Sequence, residues 1–168
     1  MSKDYTFNPG DFVVYPAHGV GQVTEIQKTA VAGQDLELIA ISFNKDKLTL
    51  RIPKPNAQKT GLRQISSAGV MDEALNTLKG KAKIKRTQWG KRSQEYMAKI
   101  NSGDPVAVAE VLRDLYKDPD KSEQTYSERQ IYDQAMARLV SEYAVVKKVK
   151  EDEAAVKLAS ILQSKVSA

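Results

Sequence analysis

The sequence predicts an α+β protein in which a small SH3-like or Tudor-like β barrel is followed by an all-α helical domain. Over about the first sixty residues, apolar and polar residues alternate with a period of two, which is typical of β-strands. From Ser66 onward the apolar residues recur at helical spacing instead. This change of period predicts a domain boundary near residue 65, so that residues 1–65 and 66–168 form separate domains.

Four strands are predicted in the first domain, in the segments DFVVYP, QVTEIQKTAV, LELIAISF and LTLRIP. The short turns AHGVG, AGQD and NKDK separate them and favour an antiparallel meander of four or five strands. In the fourth segment Thr49 and Arg51 lie on one face, and the apolar residues lie on the other. Pro53 ends this strand because it has no N–H group to donate to a neighbour.

Three of the five predicted helices precede the helix-breaking sequence DPDKS, residues 118–122. Gly80 ends the first helix, and the second begins near Arg92. Asp104 caps the third, with Pro105 in its first turn, where a missing N–H does no harm. Their buried faces are predicted to consist of Val70, Met71, Ala74, Leu75 and Leu78, then Tyr96, Met97 and Ile100, then Val108, Val111, Leu112 and Leu115.

Two further helices are predicted after DPDKS. Ser127 and Gln130 have the spacing of a capping box, which indicates the start of the fourth and longest helix. The fifth helix begins near Glu151. Their buried faces are predicted to consist of Ile131, Ala135, Leu139, Tyr143 and Val146, then Ala155, Leu158, Ile161 and Leu162.

Composition and motifs argue against catalysis and against metal binding. The chain has no cysteine and one histidine, His18, which excludes disulfides, thiolate zinc sites and nitrogen-rich metal clusters. The Gly-x-Gly around His18 is followed by a strand, whereas a phosphate-binding loop needs a helix there. Glu110 and Asp114 stand among Arg113 and Lys117, as on a solvated helix face with side-chain pairs. We therefore expect no enzymatic activity and no cofactor.

The sequence predicts a cytoplasmic location. No segment approaches the roughly 18 apolar residues that a membrane span requires. The N-terminal sequence MSKDYTFNPGD has no apolar core of the kind that a secretory signal needs. We expect no membrane partner. We also expect a monomer, since the apolar faces of the helices are used by their own core.

The basic segment, residues 79–92 (KGKAKIKRTQWGKR), holds seven positive charges, no acidic residue and the only tryptophan, Trp89. The window 67–94 carries seven basic and two acidic residues and so accounts for the whole net charge of +5. Charge concentrated in this way is typical of a phosphate-binding surface, although a solvated basic linker has the same composition.

Two interpretations of Trp89 are open. In the first, the ring packs at the junction between the domains and anchors the second helix. In the second, cations on both sides neutralise phosphates, while the ring enters a minor groove or stacks on an unpaired base. The cations concerned are Lys83, Lys85, Arg86, Lys91 and Arg92.

The basic segment alone would bind DNA weakly, with a Kd of roughly 10⁻⁴ to 10⁻⁶ M. A second module that holds it beside DNA would raise its effective concentration to about the millimolar range. The first domain is the candidate for this role. Its edge strand 47–52 can extend a partner's sheet through main-chain hydrogen bonds, with Arg51 adding charge specificity.

Five stretches between about residue 7 and residue 145 occur in an unusual order and spacing: GDFVVYPAHGVGQV, LRIP followed by GLR, TQWGKRSQEYMAKI, SGDPVAVAEVLRDLY and SERQIYDQAMARLV. In these stretches the chain resembles the CarD/CdnL family of bacterial RNA polymerase-binding transcription regulators. The final helix contributes least to the resemblance.

The resemblance implies that the first domain is Tudor-like and docks on the β subunit of RNA polymerase. Arg51 and Pro53 fall on the docking strand, beside Thr49. Thr29 stands where some relatives carry arginine, which makes the neighbouring Lys28 a candidate replacement at the docking surface.

The resemblance also implies that the helical domain presents Trp89 to the upstream edge of the promoter bubble. Lys91 and Arg92 match the adjacent basic pair of the family. Promoter DNA would be contacted in the minor groove or at the upstream fork, without sequence specificity. The family has no catalytic activity and no required cofactor, so we expect no small-molecule ligand. Binding to the polymerase would also place the protein at the nucleoid.

Two other functions fit parts of the sequence. GDFVVYPAHGVGQVTEI also looks like the KOW-type barrels of elongation factors and ribosomal proteins, which predicts an RNA- or ribosome-associated module. A purely structural scaffold would instead keep Trp89 in its core, so that replacing Trp89 by alanine would cost about 3 kcal/mol or more.

Overall fold

The computed structural model describes residues 7–16, 18–43, 47–57, 59–84, 86–117 and 123–164. The predicted turn NKDK lies largely outside these residues, and the predicted break DPDKS and Lys85 lie wholly outside them. The chain divides into two compact units, and the division falls between Ile65 and Ser66. Strands make up the first unit and helices the second, which confirms the predicted α+β fold class.

The strands of the first unit are β1 (Phe12–Tyr15), β2 (Gly19–Val31), β3 (Gln34–Phe43), β4 (Leu48–Pro53) and β5 (Arg63–Gln64), and a short 3-10 helix (Lys54–Asn56) follows β4. They form one antiparallel sheet in the order β4-β3-β2-β1-β5. The first four strands match the predicted segments. Strand β5 has only two residues, which is too short for any periodicity to reveal.

A tight hairpin joins β2 and β3. Its two turn residues both have positive φ, 55° at Ala32 and 80° at Gly33, as the favoured two-residue hairpin turns require. The predicted turn AGQD is too long, because Gln34 and Asp35 already pair with β2. The two strands therefore begin pairing directly at the turn.

The core of the first unit lies on one face of this sheet. Two side chains of β3, Ile41 and Phe43, pack directly over Gly21 of β2. A Cβ at Gly21 would lie 2.6 Å from Ile41 and 2.7 Å from Phe43, so only glycine leaves room for these two side chains. The buried residues of this core are Phe7, Val13, Val23, Ile39, Ile41, Phe43, Ile52, Ala57 and Leu62.

The helices of the second unit are α1 (Ala68–Leu78), α2 (Trp89–Asn101), α3 (Pro105–Leu115), α4 (Tyr126–Lys147) and α5 (Glu151–Ser164). Their apolar faces meet in one core, to which all five contribute buried residues. The predicted faces of the first four helices lie on this core, fully or partly buried, except for Val70, which is partly buried but is not part of the core. In α5 the fully buried alanine is Ala154 and not Ala155. Among the helices of the described residues, none combines the length and apolar character of a bilayer-crossing segment.

Helix α2 begins at Trp89, three residues before the predicted start at Arg92. Its N-cap is Gln88, whose side chain makes no capping hydrogen bond, so that no sequence signal marks the start. The consequence is large for the site, because Trp89 and Arg92 become neighbours on one helical face.

The capping box of α4 is formed by Thr125 and Glu128, so the predicted pair of Ser127 and Gln130 is wrong. The Thr125 hydroxyl accepts a hydrogen bond from the Glu128 N–H at 3.2 Å, and Glu128 Oε1 accepts one from the Thr125 N–H at 3.3 Å. The pair Thr125 and Glu128 and the pair Ser127 and Gln130 both have the spacing of a capping box. An ion pair between Lys117 and Glu128 (3.1 Å) further stabilises the observed box, that of Thr125 and Glu128.

Candidate functional site

Trp89 is half-buried at the first position of α2. One side of its ring packs against the helical core, where the ring centroid lies 6.2 Å from that of Tyr96. The ring also lines an open cleft. Trp89 therefore combines the anchoring contact of the first interpretation with the accessible wall that the second interpretation needs.

Arg92 holds the indole from the same helix. Its guanidinium carbon lies 5.5 Å from the Trp89 ring centroid and 5.6 Å from the Tyr96 ring centroid, within cation–π range. The Arg92 Nη2 group also donates a hydrogen bond of 3.0 Å to the Tyr96 hydroxyl. Residues three and four apart share a helical face, which is how these three side chains meet. Arg92, predicted to point outward to phosphates, is thus partly buried and packs on both rings.

The other cations of the basic segment are more open. Lys83, Arg86 and Lys91 are exposed, as expected of side chains that contact phosphates. Lys85 lies outside the described residues. The structure thus leaves three of the five predicted cations exposed, while Arg92 is taken up by its ring contacts.

A buried carboxylate fixes the path of the basic segment. Asp114 and its neighbour Arg113 are 6% and 9% exposed, so the predicted solvated face is wrong for both. Asp114 Oδ1 accepts a hydrogen bond from Arg113 Nε at 2.9 Å and another from the Lys83 backbone N–H at 2.9 Å. Glu110 pairs with Lys99 on the outer side of α3. Sequence reasoning missed the burial of Asp114, because only its tertiary contact with the Lys83 backbone distinguishes it from a surface carboxylate.

The cleft beside Trp89 lies where the basic segment meets the end of α3 and the start of α4. Its volume is about 570 Å³. The basic segment contributes Ala82 and Ile84, and residues 114–117 and 125–128 contribute the opposite sides. The cleft therefore has apolar and aromatic surface together with polar groups.

Glu128 lies in this cleft as a charged carboxylate. Burial raises the pKa of the Glu128 carboxyl, but hydrogen bonds from the Lys117 ammonium and from Thr125 lower it by more. The pKa of Glu128 thus lies below its ordinary value of 4.5. This group contributes stability above about pH 4.5, and the contribution is lost as the pH falls through the lowered pKa.

We expect Glu128→Ala to lower the free energy of unfolding by about 1 kcal/mol at pH 7, because the capping box is lost. The difference from the wild type should shrink as the pH falls below 4.5 and through the lowered pKa of Glu128, because the wild-type carboxylate then becomes protonated. Urea unfolding at a series of pH values from 7 downwards checks this. Glu123→Ala, at an exposed glutamate before α4, is the control and should change little. A pH-independent difference would contradict the charge-based explanation.

The edge of the first sheet offers a second candidate surface. Strand β4 is at one end of the strand order, and among the described residues no strand pairs with its outer side. Thr49 and Arg51 are exposed and Pro53 is partly buried. Arg51 Nε donates to Gln27 Oε1 at 3.2 Å, and Gln27 donates in turn to Glu25. Gln27 was not predicted, because its contact with Arg51 spans the sheet.

Lys28 lies on the opposite face of the sheet from Arg51. Lys28 pairs in register with Glu37, while Thr29 and Gln27 fall in line with the face that carries Arg51 and Pro53. Side chains alternate between faces along a strand, so adjacent residues cannot share a flat surface. Lys28 therefore does not share the face of the sheet that carries Arg51, and its part in docking stays a prediction.

Comparison with known proteins matches both units. Residues 7–66 match the family model described as the CarD-like/TRCF RID domain, and residues 73–159 match the model of the CarD C-terminal domain. The chain is 25% identical over 145 residues to YdeB of Bacillus subtilis (strain 168), which its name describes as a candidate transcription factor. This similarity covers 86% of the chain and 95% of YdeB. The solution structure of the N-terminal domain of Myxococcus xanthus CarD is 32% identical over 38% of the chain and 84% of that domain, with a TM-score of 0.31.

Proposed function

The chain belongs to the CarD family of transcription regulators, and from this premise we propose that it docks on the RNA polymerase β subunit and stabilises the promoter open complex. Strand β4 makes the contact with the polymerase, and Trp89 makes the contact with separated DNA at the upstream edge of the bubble. The exposed cations of the basic segment bind the adjacent phosphates without reading sequence.

The geometry of Trp89 is the observation that carries this proposal. A ring that stacks on a base must be accessible on one side and held in place on the other, so that it does not collapse onto its own protein. Trp89 lines an open cleft, and Arg92 and Tyr96 contact the ring from the helix. Exposed Lys83 and Lys91 lie before and after it in the chain. These features together favour a preorganised contact with nucleic acid.

The first unit supports the polymerase contact. An edge strand with one free side can add to a partner's sheet through main-chain hydrogen bonds. Arg51 is exposed on this strand, and its contact with Gln27 limits the positions that its guanidinium can take. An arginine held in this way suits an acidic group beside the partner's strand.

A contact of this kind has a useful magnitude. Stacking of one base on an aromatic ring contributes about 1 to 3 kcal/mol. Applied to the equilibrium between closed and open promoter, this corresponds to a change of roughly 5- to 150-fold in the open-complex population. One tryptophan is thus sufficient for a regulatory effect.

A pull-down with the full chain tests the proposed partner. We expect RNA polymerase to be recovered and purified β subunit to bind directly. Recovery of ribosomes or free RNA in place of polymerase would support the KOW-like alternative and overturn the proposed function. Open-complex lifetime at a purified promoter, measured with and without the chain, tests the second half of the proposal, and an unchanged lifetime would refute it.

Arg92 provides a test of how the indole is held. We expect Arg92→Ala and Arg92→Lys both to shorten the open-complex lifetime by roughly 2- to 30-fold, which corresponds to the about 0.5 to 2 kcal/mol of a cation–π contact. Lysine keeps the charge but not the planar group that stacks on the rings. The emission of Trp89, the only tryptophan, should shift in both variants.

Lys91→Ala is the control for the Arg92 experiment, because Lys91 is exposed and adjacent. It should weaken the salt dependence of DNA binding and leave the Trp89 emission unchanged. If Arg92→Lys behaved like the wild type in lifetime and emission, Arg92 would act only as a charge.

A further inference from the structure

We propose that the cleft beside Trp89 binds one unpaired nucleobase of the melted promoter strand, which leaves the base stack and enters the helical unit. This rests on the proposed function, because it requires separated DNA at this unit, and it names what the site takes. The cleft volume of about 570 Å³ falls within the about 300 to 1,000 Å³ typical of ligand sites. A nucleobase is flat, aromatic and small enough for such a space.

The charges that line the cleft favour an uncharged ligand. Two cations, Arg92 and Lys117, and two carboxylates, Asp114 and Glu128, line it, so the formal charges cancel. Lys117 Nζ lies 3.1 Å from Glu128 Oε1, Asp114 is bonded to Arg113, and Arg92 is engaged with aromatic rings. A phosphate inside the cleft would meet two carboxylates and only engaged cations. A neutral ring meets no such penalty.

The walls of the cleft suit a base. Trp89 and Tyr116 contribute aromatic surface, and Ile84, which is 56% exposed, contributes apolar surface. Aromatic rings of this kind are the usual stacking partners of bases removed from a duplex. Ser127 and Glu128 bring a hydroxyl and a carboxylate from the start of α4, and the edge of every base carries donors and acceptors that such groups can bond.

Cations outside the cleft favour a nucleic acid strand over a peptide or a free metabolite. Lys83 is exposed between Ala82 and Ile84, which both line the cleft. Lys91 is exposed two residues after Trp89, which forms a wall. Phosphates on either side of an inserted base would therefore meet positive charge, while the base itself would meet a lining whose formal charges cancel. Neutral aromatic units on a polyanionic backbone have this distribution of charge.

The test compares two forked DNA duplexes that differ by one base. The first is intact, and the second lacks the base of one nucleotide at the junction, so that both carry the same phosphates. The full chain is titrated with each while the emission of Trp89 is recorded. We expect the intact fork to bind roughly 5-fold or more tightly and to quench Trp89, with the same salt dependence for both forks.

Variants that fill the cleft make the test specific to it. Ser127→Phe fills the cleft from α4 and leaves Trp89 and the exposed cations in place. Ser160→Phe adds the same ring at an exposed position of α5 and is the matched control. We expect only Ser127→Phe to abolish the difference between the forks. Ala82→Leu fills the cleft from the basic segment and replaces Ser127→Phe if circular dichroism shows that the latter is unfolded.

Three results would overturn the assignment of the cleft: equal affinity for the two forks, an undiminished difference in a folded cleft-filling variant, or quenching by a free nucleoside or a peptide but not by the fork. Open-complex lifetime separates this failure from failure of the proposed function. If the cleft-filling variants still lengthen the lifetime and Trp89→Ala does not, the proposed function stands and the cleft assignment falls. If the wild type does not lengthen the lifetime, the proposed function falls.

Discussion

Replacing Trp89 with alanine is expected to shorten the lifetime of the promoter open complex by roughly 5- to 150-fold, towards the lifetime without the protein. The reason is the loss of one aromatic stack on separated DNA, which contributes about 1 to 3 kcal/mol. Dissociation of preformed open complexes after addition of a competitor measures the effect. The salt dependence of residual DNA binding should be unchanged, because the exposed cations remain.

Stability measurements separate this function from a purely structural role of Trp89. The ring is half-buried, so Trp89→Ala should cost less than the about 3 kcal/mol typical of a core aromatic residue. Trp89→Phe keeps a smaller ring and should retain part of the lifetime. An unchanged lifetime in a folded Trp89→Ala protein would remove the ring from the mechanism. Unfolding of the helical unit by this change would support the scaffold alternative.

Reversing the charge at Arg51 is expected to weaken binding to the polymerase β subunit by about 2 kcal/mol or more, roughly 30-fold in Kd. The exposed guanidinium on the edge strand would become a carboxylate, which repels the acidic partner group that an arginine suits. Titration of the isolated β subunit with Arg51→Glu measures the loss. Open-complex stabilisation should fall with it, because Trp89 is then no longer held beside the promoter.

Lys28→Glu is the matched control for Arg51→Glu. It makes the same reversal of charge, but on the opposite face of the sheet. We expect it to leave polymerase binding nearly unchanged. Equal losses in the two variants would indicate a general charge effect and would argue against docking through the Arg51 face. The double variant Arg51→Glu with Trp89→Ala should have an open-complex lifetime only slightly shorter than that of Arg51→Glu. The reason is that docking through Arg51 serves to hold Trp89 at the DNA, so the two changes remove the same contact.

The sequence was sufficient for the fold class because alternation and helical spacing are local properties. A strand with one buried face must repeat every two residues, and a helix must repeat about every 3.6. Asp104 and Pro105 mark the start of α3 by local chemistry, and this prediction is confirmed. Element ends without such chemistry were missed. Gln88 makes no side-chain cap, so α2 begins where only packing decides.

The competition between two capping boxes shows the same limit. Thr125 with Glu128 and Ser127 with Gln130 satisfy one sequence rule equally well. Lys117, which follows the end of α3 and precedes the segment 118–122, pairs with Glu128 and so supports the first box. A contact between residues eleven positions apart is invisible to a local pattern.

The concentration of charge around Trp89, and its candidacy for a contact with nucleic acid, came from the sequence by itself, because a single ring among cations needs no coordinates to be noticed. Tertiary structure alone decided what each neighbour does. It turned Arg92 towards two rings, buried Asp114 against the Lys83 backbone, and placed Lys28 on the opposite face of the sheet from Arg51. The physical reason is that composition counts charges, whereas burial, helical phase and strand alternation determine which of them can reach a partner.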